Sequence, residues 1–296
     1  MKLMAKFNLV LIGVCSVGLA LAGYLSYNIL RHNAQEEVVT HAGMMLEAAL
    51  AIRGYTVGEI RPLLAPQLKK KFLPQTVPAY AATQNFNILR KNHPEYSYKE
   101  ATLNPTNPRD RAADWESDIV EAFRNNPERK EVIGNRMTPT GPILYLARPI
   151  TIKKGGCLVC HSTVSAAPKS MLALYGDANG FGWKMNETVG AQIVTVPMAY
   201  PIQKAENAFK VFMGSLTGIF IFIIIVLNIM LRAIVIKPVT SMAKISDEIS
   251  KGNMAADEFR EAGKDEIATL GGAFNRMRRS LEKAIKMLED NETRMI

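Results

Sequence analysis

Cysteine is scarce in this chain: three residues among 296, with Cys15 inside an apolar run and Cys157 and Cys160 close together in a loop. A closed zinc site takes about four protein ligands, and no further cysteine stands near that pair, which argues against zinc. Histidine is almost as sparse, at four, and His161 alone adjoins a cysteine. The phosphate-cradling glycine motifs and the nucleophile elbow are missing. Asp114, Glu116 and Asp118 alternate over a stretch that a helix spreads round its axis, so they make no paired-carboxylate site. No acid or base is assignable to a reaction, and the chain is not expected to be an enzyme. The formal charge is +9, yet basic and acidic residues nearly balance in every segment. Without a basic stripe, nucleic acid is not an expected partner, and Lys69-Lys70-Lys71 reads as a solvated face.

Charge is also missing from two long runs. Phe7 to Leu30 carries none and is bracketed by Lys2 and Lys6 before it and Arg31 after it, which meets the length a helix needs to cross a bilayer. Val211 to Leu231 does the same and is followed by Arg232 and Lys237. Basic flanks prefer the cytoplasm, so both termini are expected inside and the intervening segment outside, in a bacterial periplasm. Ala20-Leu21-Ala22 matches a signal-peptidase site; the apolar run continues past it to Leu30, and an uncut anchor is the preferred reading. Val14 before Cys15 does not suit lipoprotein cleavage, and Cys15 reads as a small apolar residue.

What is present is Cys157-Leu158-Val159-Cys160-His161, the C-x-x-C-H run in which c-type haem is attached to protein. Two thiols add across the haem vinyl groups, and the adjacent imidazole supplies an iron ligand. The alternative is a Cys157–Cys160 disulfide of thioredoxin type, although nothing nearby reads as a strand leading into a C-x-x-C helix. The expectation is one covalent haem c per chain, with Cys157 and Cys160 as thioether anchors and His161 as proximal iron ligand.

Around this loop the chain reads first as helices and then as strands. Arg31 to Ile60 lacks proline and places Val38, Met45, Ala49 and Ile52 at helical spacing. Pro62, Pro66, Pro74 and Pro78 break the chain into extended pieces or turns, and a helix follows from Val77 or Pro78 to Lys91. Asp110 or Asp114 is the expected cap of a helix through Trp115, Ile119, Val120 and Phe123. Residues 142–152 and 191–198 read as strands, with Gly155-Gly156 freeing the backbone before the cysteines. The fold class expected is α+β, an antiparallel sheet of PAS-like or Cache-like kind; the strand order is not legible.

The tail has a period. Ile267, Leu270, Phe274, Met277, Leu281, Ala284 and Leu288 alternate steps of three and four, an a/d seam that asks for a partner helix and so predicts a parallel homodimer. Upstream, Val239, Met242, Ile245 and Ile249 form a shorter amphipathic helix after Pro238, broken at Lys251-Gly252-Asn253. This arrangement resembles a HAMP domain, on the strength of Pro238, Glu248 and Asp265-Glu266-Ile267.

Several stretches, in order, resemble a family of periplasmic c-type haem sensor domains, long catalogued as a domain of unknown function. They are Ile52-Arg-Gly-Tyr-Thr56, Asn104-Pro-Thr-Asn-Pro-Arg109, Ala113-Asp-Trp-Glu116, Ala147-Arg-Pro149, the cysteine box and Gly180-Phe-Gly-Trp183. The resemblance implies a PAS-like fold and a sensory role over roughly residues 34–200. The expected division is a cytoplasmic start at 1–6, a span at 7–30, the haem domain at 31–210, a second span at 211–231 and a HAMP-like coil at 232–296. Candidates for the sixth iron ligand are Met45, which falls on the apolar seam, then His41 and Met44 on the same helix. The expected function is a two-pass inner-membrane haem sensor, of redox state or a small ligand, that signals through HAMP to a kinase or chemotaxis partner in trans. The alternative is a membrane-anchored cytochrome carrying electrons.

Overall fold

The computed structural model describes residues 3–259 and 263–294, with side chains to 288; Lys2 lies outside them. Helix α1, Leu3–Tyr55, runs 53 residues without a break. Ala34, Val38, Ala42, Leu46 and Ala49 are its buried positions, a stripe of steps of four and three. Three of the five are alanines, and they share one stripe with Val38 and Leu46. Met45 and Ile52 flank that stripe and are only partly buried.

α1 widens into a π turn at Thr56–Ile60, where the Arg61 N–H reaches back to Thr56 O. The cause is Pro62, which has no N–H to continue the ladder. The same device recurs at Arg232–Ile236, where Lys237 N–H bonds Arg232 O just ahead of Pro238. Of the extended pieces or turns expected around the early prolines, the structure has single helical turns: α2, Arg61–Leu63, and α3, Ala65–Leu68. Proline at the first position of a helix loses no bond and brings a suitable φ. α4, Pro78–Leu89, begins at Pro78 as its spacing implied.

The remaining elements in order are β1 (Ser97–Thr102), α5 (Asp114–Asn125), β2 (Val132–Thr138), β3 (Gly141–Thr151), α6 (Leu158–His161), α7 (Lys169–Tyr175) and β4 (Thr188–Pro197). The four strands form one antiparallel sheet in the order β1-β4-β3-β2, so the α+β class holds. Neither Asp110 nor Asp114 caps α5. Ala113 takes the N-cap position, and Glu116 reaches back to its N–H at 2.8 Å while receiving Lys99 Nζ at 2.6 Å.

Alternation along the strands sorts the core into two layers. Tyr98, Leu144, Leu146, Val194 and Val196 meet α1 and α4 on one face. Ala101, Ala147, Ala191 and Ile193 meet Ile119, Val120 and Phe123 of α5 on the other. The sheet is covered on both sides, and its chemistry must emerge at an end.

A separate unit holds the first part of α1 together with α8 (Ala199–Leu231) from Val211 onward, α9 (Lys237–Ser250) and α10 (Glu266–Arg294). The helical stretches Leu3–Leu63 and Ala199–Ser250 are long and apolar enough to cross a membrane. Asn8 and Asn228 exchange amide hydrogen bonds of 2.8 and 2.7 Å between them, pairing two polar groups that lipid would leave unsatisfied. Behind α9, the connector lies along α10: Asn275 accepts from Phe259 N–H at 3.0 Å and donates to its carbonyl at 2.7 Å. A Cβ on Gly271 would stand 2.3 Å from the Phe259 ring. The face of α10 under the connector is thus Ala268, Gly271, Gly272, Asn275 and Arg278. The heptad seam lies on another face, with Leu270, Met277, Leu281 and Leu288 all exposed.

Candidate functional site

The site grows out of an excursion between β3 and β4. Its two ends are pinned together, because Ile152 N–H bonds Glu187 O at 2.9 Å and Asn186 N–H bonds Ile152 O at 2.8 Å; Ile152 itself is buried. Within the excursion a 3-10 turn at Gly155–Cys157 leads into α6. Three residues apart on this helical turn, Cys157 and Cys160 project to one side. Both thiols are free, Cys157 exposed and Cys160 half-buried.

His161 closes the turn, and three groups fix its ring. Its Nδ1 lies 2.8 Å from Gly180 O and 3.3 Å from Thr106 Oγ1. A carbonyl only accepts, so Nδ1 carries the proton and Nε2 keeps a bare lone pair. Trp183 stacks on the imidazole with ring centroids 4.0 Å apart and planes 14° off parallel. An iron bond to Nε2 lies in the imidazole plane, so the stacked indole steadies the ring without blocking it. Burial pushes the His161 pKa below the usual histidine range, against the raising pull of the Gly180 carbonyl; the neutral ring is the form that binds metal.

The loop that holds His161 is built from the segment after β1. Gly180 N–H donates to Asn104 Oδ1 at 3.2 Å, and Asn104 Nδ2 donates to Phe181 O at 3.4 Å. Gly182 N–H bonds Ser162 O at 3.0 Å and Trp183 N–H bonds His161 O at 3.1 Å. At Gly180 φ is +86°, and an added Cβ would lie 2.0 Å from Thr106 Oγ1 and 2.8 Å from Thr106 N and Cα. Only glycine fits there. Sequence reasoning had treated Asn104, Thr106, Gly180 and Trp183 as marks of a resemblance. The structure makes them the cradle of His161, and the signal was their clustering in short glycine- and asparagine-rich runs.

The Cys160 thiol is not tuned for redox exchange. Burial pushes the Cys160 pKa up, the neighbouring Cys157 adds to that, and Arg61 pulls the other way; a reactive thiol needs the reverse balance. Arg61, whose charge thus reaches Cys160, also lines a cavity of about 420 Å³ together with Val57, Pro62, Ala65, Leu68 and Lys69. Two free thiols three residues apart, an adjacent imidazole with an unprotonated nitrogen, and the positive charge of Arg61 near Cys160 are a donor set that could hold a haem. A little further round, Arg109 lies over the Tyr80 ring at 5.1 Å and 3.5 Å from Asp110. Burial raises the Asp110 pKa, although Arg109 opposes it.

The three candidates for the far side of the iron all lie on α1. Met45 packs part-buried against the core layer of Leu46, Leu144 and Val196, Met44 is 57% exposed, and His41 lies one turn before Met45. α1 meets the site end of the sheet through Arg53, which pairs with Glu100. Met45 is eight residues back, about 12 Å along the axis.

Comparison with known proteins gives the class. The model of the Tll0287-like family matches residues 31–197 and that of the HAMP domain residues 230–283. The chain belongs to the Tll0287-like family and carries a HAMP domain behind that segment. Among curated proteins it is similar to the sensor histidine kinase WalK of Bacillus subtilis strain 168, at 28% identity over 128 residues, 43% of this chain and 21% of that protein. It is also similar to the heme sensor protein HssS of Staphylococcus epidermidis, at 32% identity over 113 residues, 36% of this chain and 25% of that protein. The chain spans about a fifth to a quarter of the length of these relatives. Among solved structures, the cyanobacterial heme-protein Tll0287 aligns at 14% identity over 54% of this chain and 95% of that one, with a TM-score of 0.43.

Proposed function

We infer that the chain is a two-pass membrane sensor with a covalent haem c held by Cys157 and Cys160 and ligated by His161. Its haem domain faces the periplasm, and its HAMP segment delivers the output to a kinase-type or chemotaxis partner in the cytoplasm. The observation that carries this reading is the His161 tautomer. Nδ1 is committed to Gly180 O at 2.8 Å, which aims the unprotonated Nε2 outward beside two free thiols on one helical face. A haem so tethered supplies an iron that changes oxidation state or takes a small ligand.

The residues of the chain do the rest. Cys157 and Cys160 fix the position of the macrocycle edge, Gly180 and Thr106 fix the imidazole rotation, and Trp183 shields one ring face from water. Arg61 and Lys69 offset the two carboxylates of the group. α1 is not assigned the sixth position, which is left for an exogenous ligand or a side chain outside α1. The chain is read as a homodimer through the exposed seam of α10, as a receptor and not a catalyst.

The test is expression in a host that matures c-type cytochromes, followed by absorption spectra before and after acidic organic extraction. Haem that resists extraction in the wild type, and is lost when both Cys157→Ala and Cys160→Ala are present, supports the reading. Extractable or absent haem refutes it. The electron-carrier reading draws on the exposure of Cys157 and of Val159 at 56%, which would leave a haem edge open to partners. Removing residues 237–296 separates the two: a carrier keeps its cellular role and a sensor loses it.

A further inference from the structure

On the face of the sheet that packs on α1, Arg148 of β3 bonds Glu47 of α1 and Thr102 is buried at the end of β1; the largest buried polar side chains there are Tyr98, Glu100 and Gln192, each only 5% exposed. These three, with Arg53, form a continuous chain of bonds. Gln192 Nε2 donates to Tyr98 Oη at 3.1 Å, Tyr98 Oη donates to Glu100 Oε1 at 2.7 Å, and Arg53 Nη1 donates to both Glu100 oxygens. Burying these groups is costly. Replacing a buried ion pair by apolar side chains is often neutral or stabilising, and such pairs are best attested as setters of register and switches.

The chain's membership points to what it sets. Arg53 belongs to α1, the helix that contains the first apolar span, and Gln192 belongs to β4, which leads through Met198 into α8 and the second. Tyr98 and Glu100 belong to β1. That strand runs on through Thr102 directly into Asn104 and Thr106, the residues that hold Gly180 and His161. The charge of Glu100 is also felt at Asp110, beside Arg109. One strand therefore leads into the cradle of the iron ligand and, four to eight residues earlier, carries a bonded link to both elements that continue toward the membrane.

We propose that Gln192–Tyr98–Glu100–Arg53 is the coupling element of the sensor, through which a change at His161 is passed from β1 to α1 and β4 together. This deepens the function proposed above and rests on it. Displacement of Asn104–Thr106 by a change in haem oxidation or ligation shifts β1. The directional bonds then transmit the shift where an apolar layer would slip, because hydrogen-bonded packing has discrete arrangements. Tyr98 is the hinge of the chain, bonded to both neighbours; burial and the Glu100 charge raise its pKa far above the usual tyrosine range, so it stays a neutral donor.

The test uses the full-length holoprotein in lipid nanodiscs with Cys15→Ala and gadolinium(III) chelate spin labels, which dithionite does not reduce, introduced at Gln35→Cys on α1 and Glu206→Cys on α8. Electron–electron distances are measured with the haem ferric and after reduction by dithionite. In the otherwise wild-type protein the label distance is expected to differ between the two states. Tyr98→Phe is expected to cut that difference by half or more while leaving the absorption spectrum and the midpoint potential unchanged. Glu100→Gln, which keeps the shape and removes the charge, is expected to do the same. A full difference in both variants overturns the proposal, as does no difference in the wild type despite normal haem reduction. Absence of covalent haem shows in the spectrum and brings down the functional reading first.

Discussion

Gly180→Ala is the sharpest probe of the His161 cradle, because Gly182 two residues on provides its control. Both glycines have left-handed φ, +86° and +82°. Placing an L side chain there costs about 1–3 kcal/mol in backbone strain at either position. The surroundings differ. A Cβ at Gly182 meets nothing within 4 Å, whereas one at Gly180 meets Thr106 Oγ1 at 2.0 Å and Thr106 N and Cα at 2.8 Å. The backbone has little room to retreat, since Gly180 N–H is held by Asn104 and its carbonyl by His161. Relief of such overpacking costs a further 1–3 kcal/mol or so, and losing the bond to His161 adds about 1 kcal/mol. Gly182→Ala should therefore destabilise by about 1–3 kcal/mol and leave the haem spectrum alone. Gly180→Ala should cost about 3–7 kcal/mol and alter the axial ligation bands. Adding Thr106→Ala removes only the hydroxyl contact, so the double variant should recover part of the loss and not all of it. The assay is urea unfolding of the holoprotein followed by Soret absorbance and circular dichroism, with resonance Raman on the folded state. Equal costs at the two glycines, or an unchanged iron–histidine signature in Gly180→Ala, would refute the reasoning.

Other consequences are as direct. Because burial depresses the His161 pKa in the folded haem-free protein, the unfolded chain binds the proton first as pH falls through the ordinary histidine value of about 6.5. Stability should drop from there down to the depressed folded value and then level off; denaturant midpoints measured against pH should lose that step in His161→Gln. Met45→Ala, Met44→Ala and His41→Ala should each leave the ferric and ferrous spectra unchanged. Of these only Met45→Ala, part-buried in the core, should cost stability, about 1–3 kcal/mol; a shifted spectrum in any of them would restore that residue to the iron. Leu270→Glu with Leu281→Glu places charge on the exposed seam of α10. It should abolish dimers in detergent sedimentation while circular dichroism of the chain stays close to wild type, whereas an unaltered dimer would move the interface elsewhere.

Much of the architecture was legible because it is local. A charge-free run of spanning length, a proline that breaks a helix, a heptad and a C-x-x-C-H box each declare themselves within a few turns of chain. The Asn104 and Gly180 stretches were visible as well, but only as words without a meaning, since they lie 76 residues apart and bond only in the fold. β1 and β2 escaped notice for a related reason. β1 carries Lys99 and Glu100 inside the strand, paired on opposite faces to Glu116 and Arg53, so its alternation is not of apolar and polar residues. β2 is an edge strand with mostly exposed side chains, and burial imposes no pattern on it.

What the amino-acid order determined by itself was the sequence of modules and the chemistry of the loop: two thiols and an imidazole at a spacing that a single helical turn brings to one side. The tertiary structure alone decided which nitrogen of His161 is free, because that depends on a carbonyl nineteen residues away held in place by Asn104, in the segment after β1. It also decided that Met45 of α1 packs part-buried against the core while Met44 is exposed, and that Arg53 reaches Glu100. Helical periodicity fixes which residues share a face, but the direction of that face, and its level along the sheet, are set by packing against partners that lie far off in the chain.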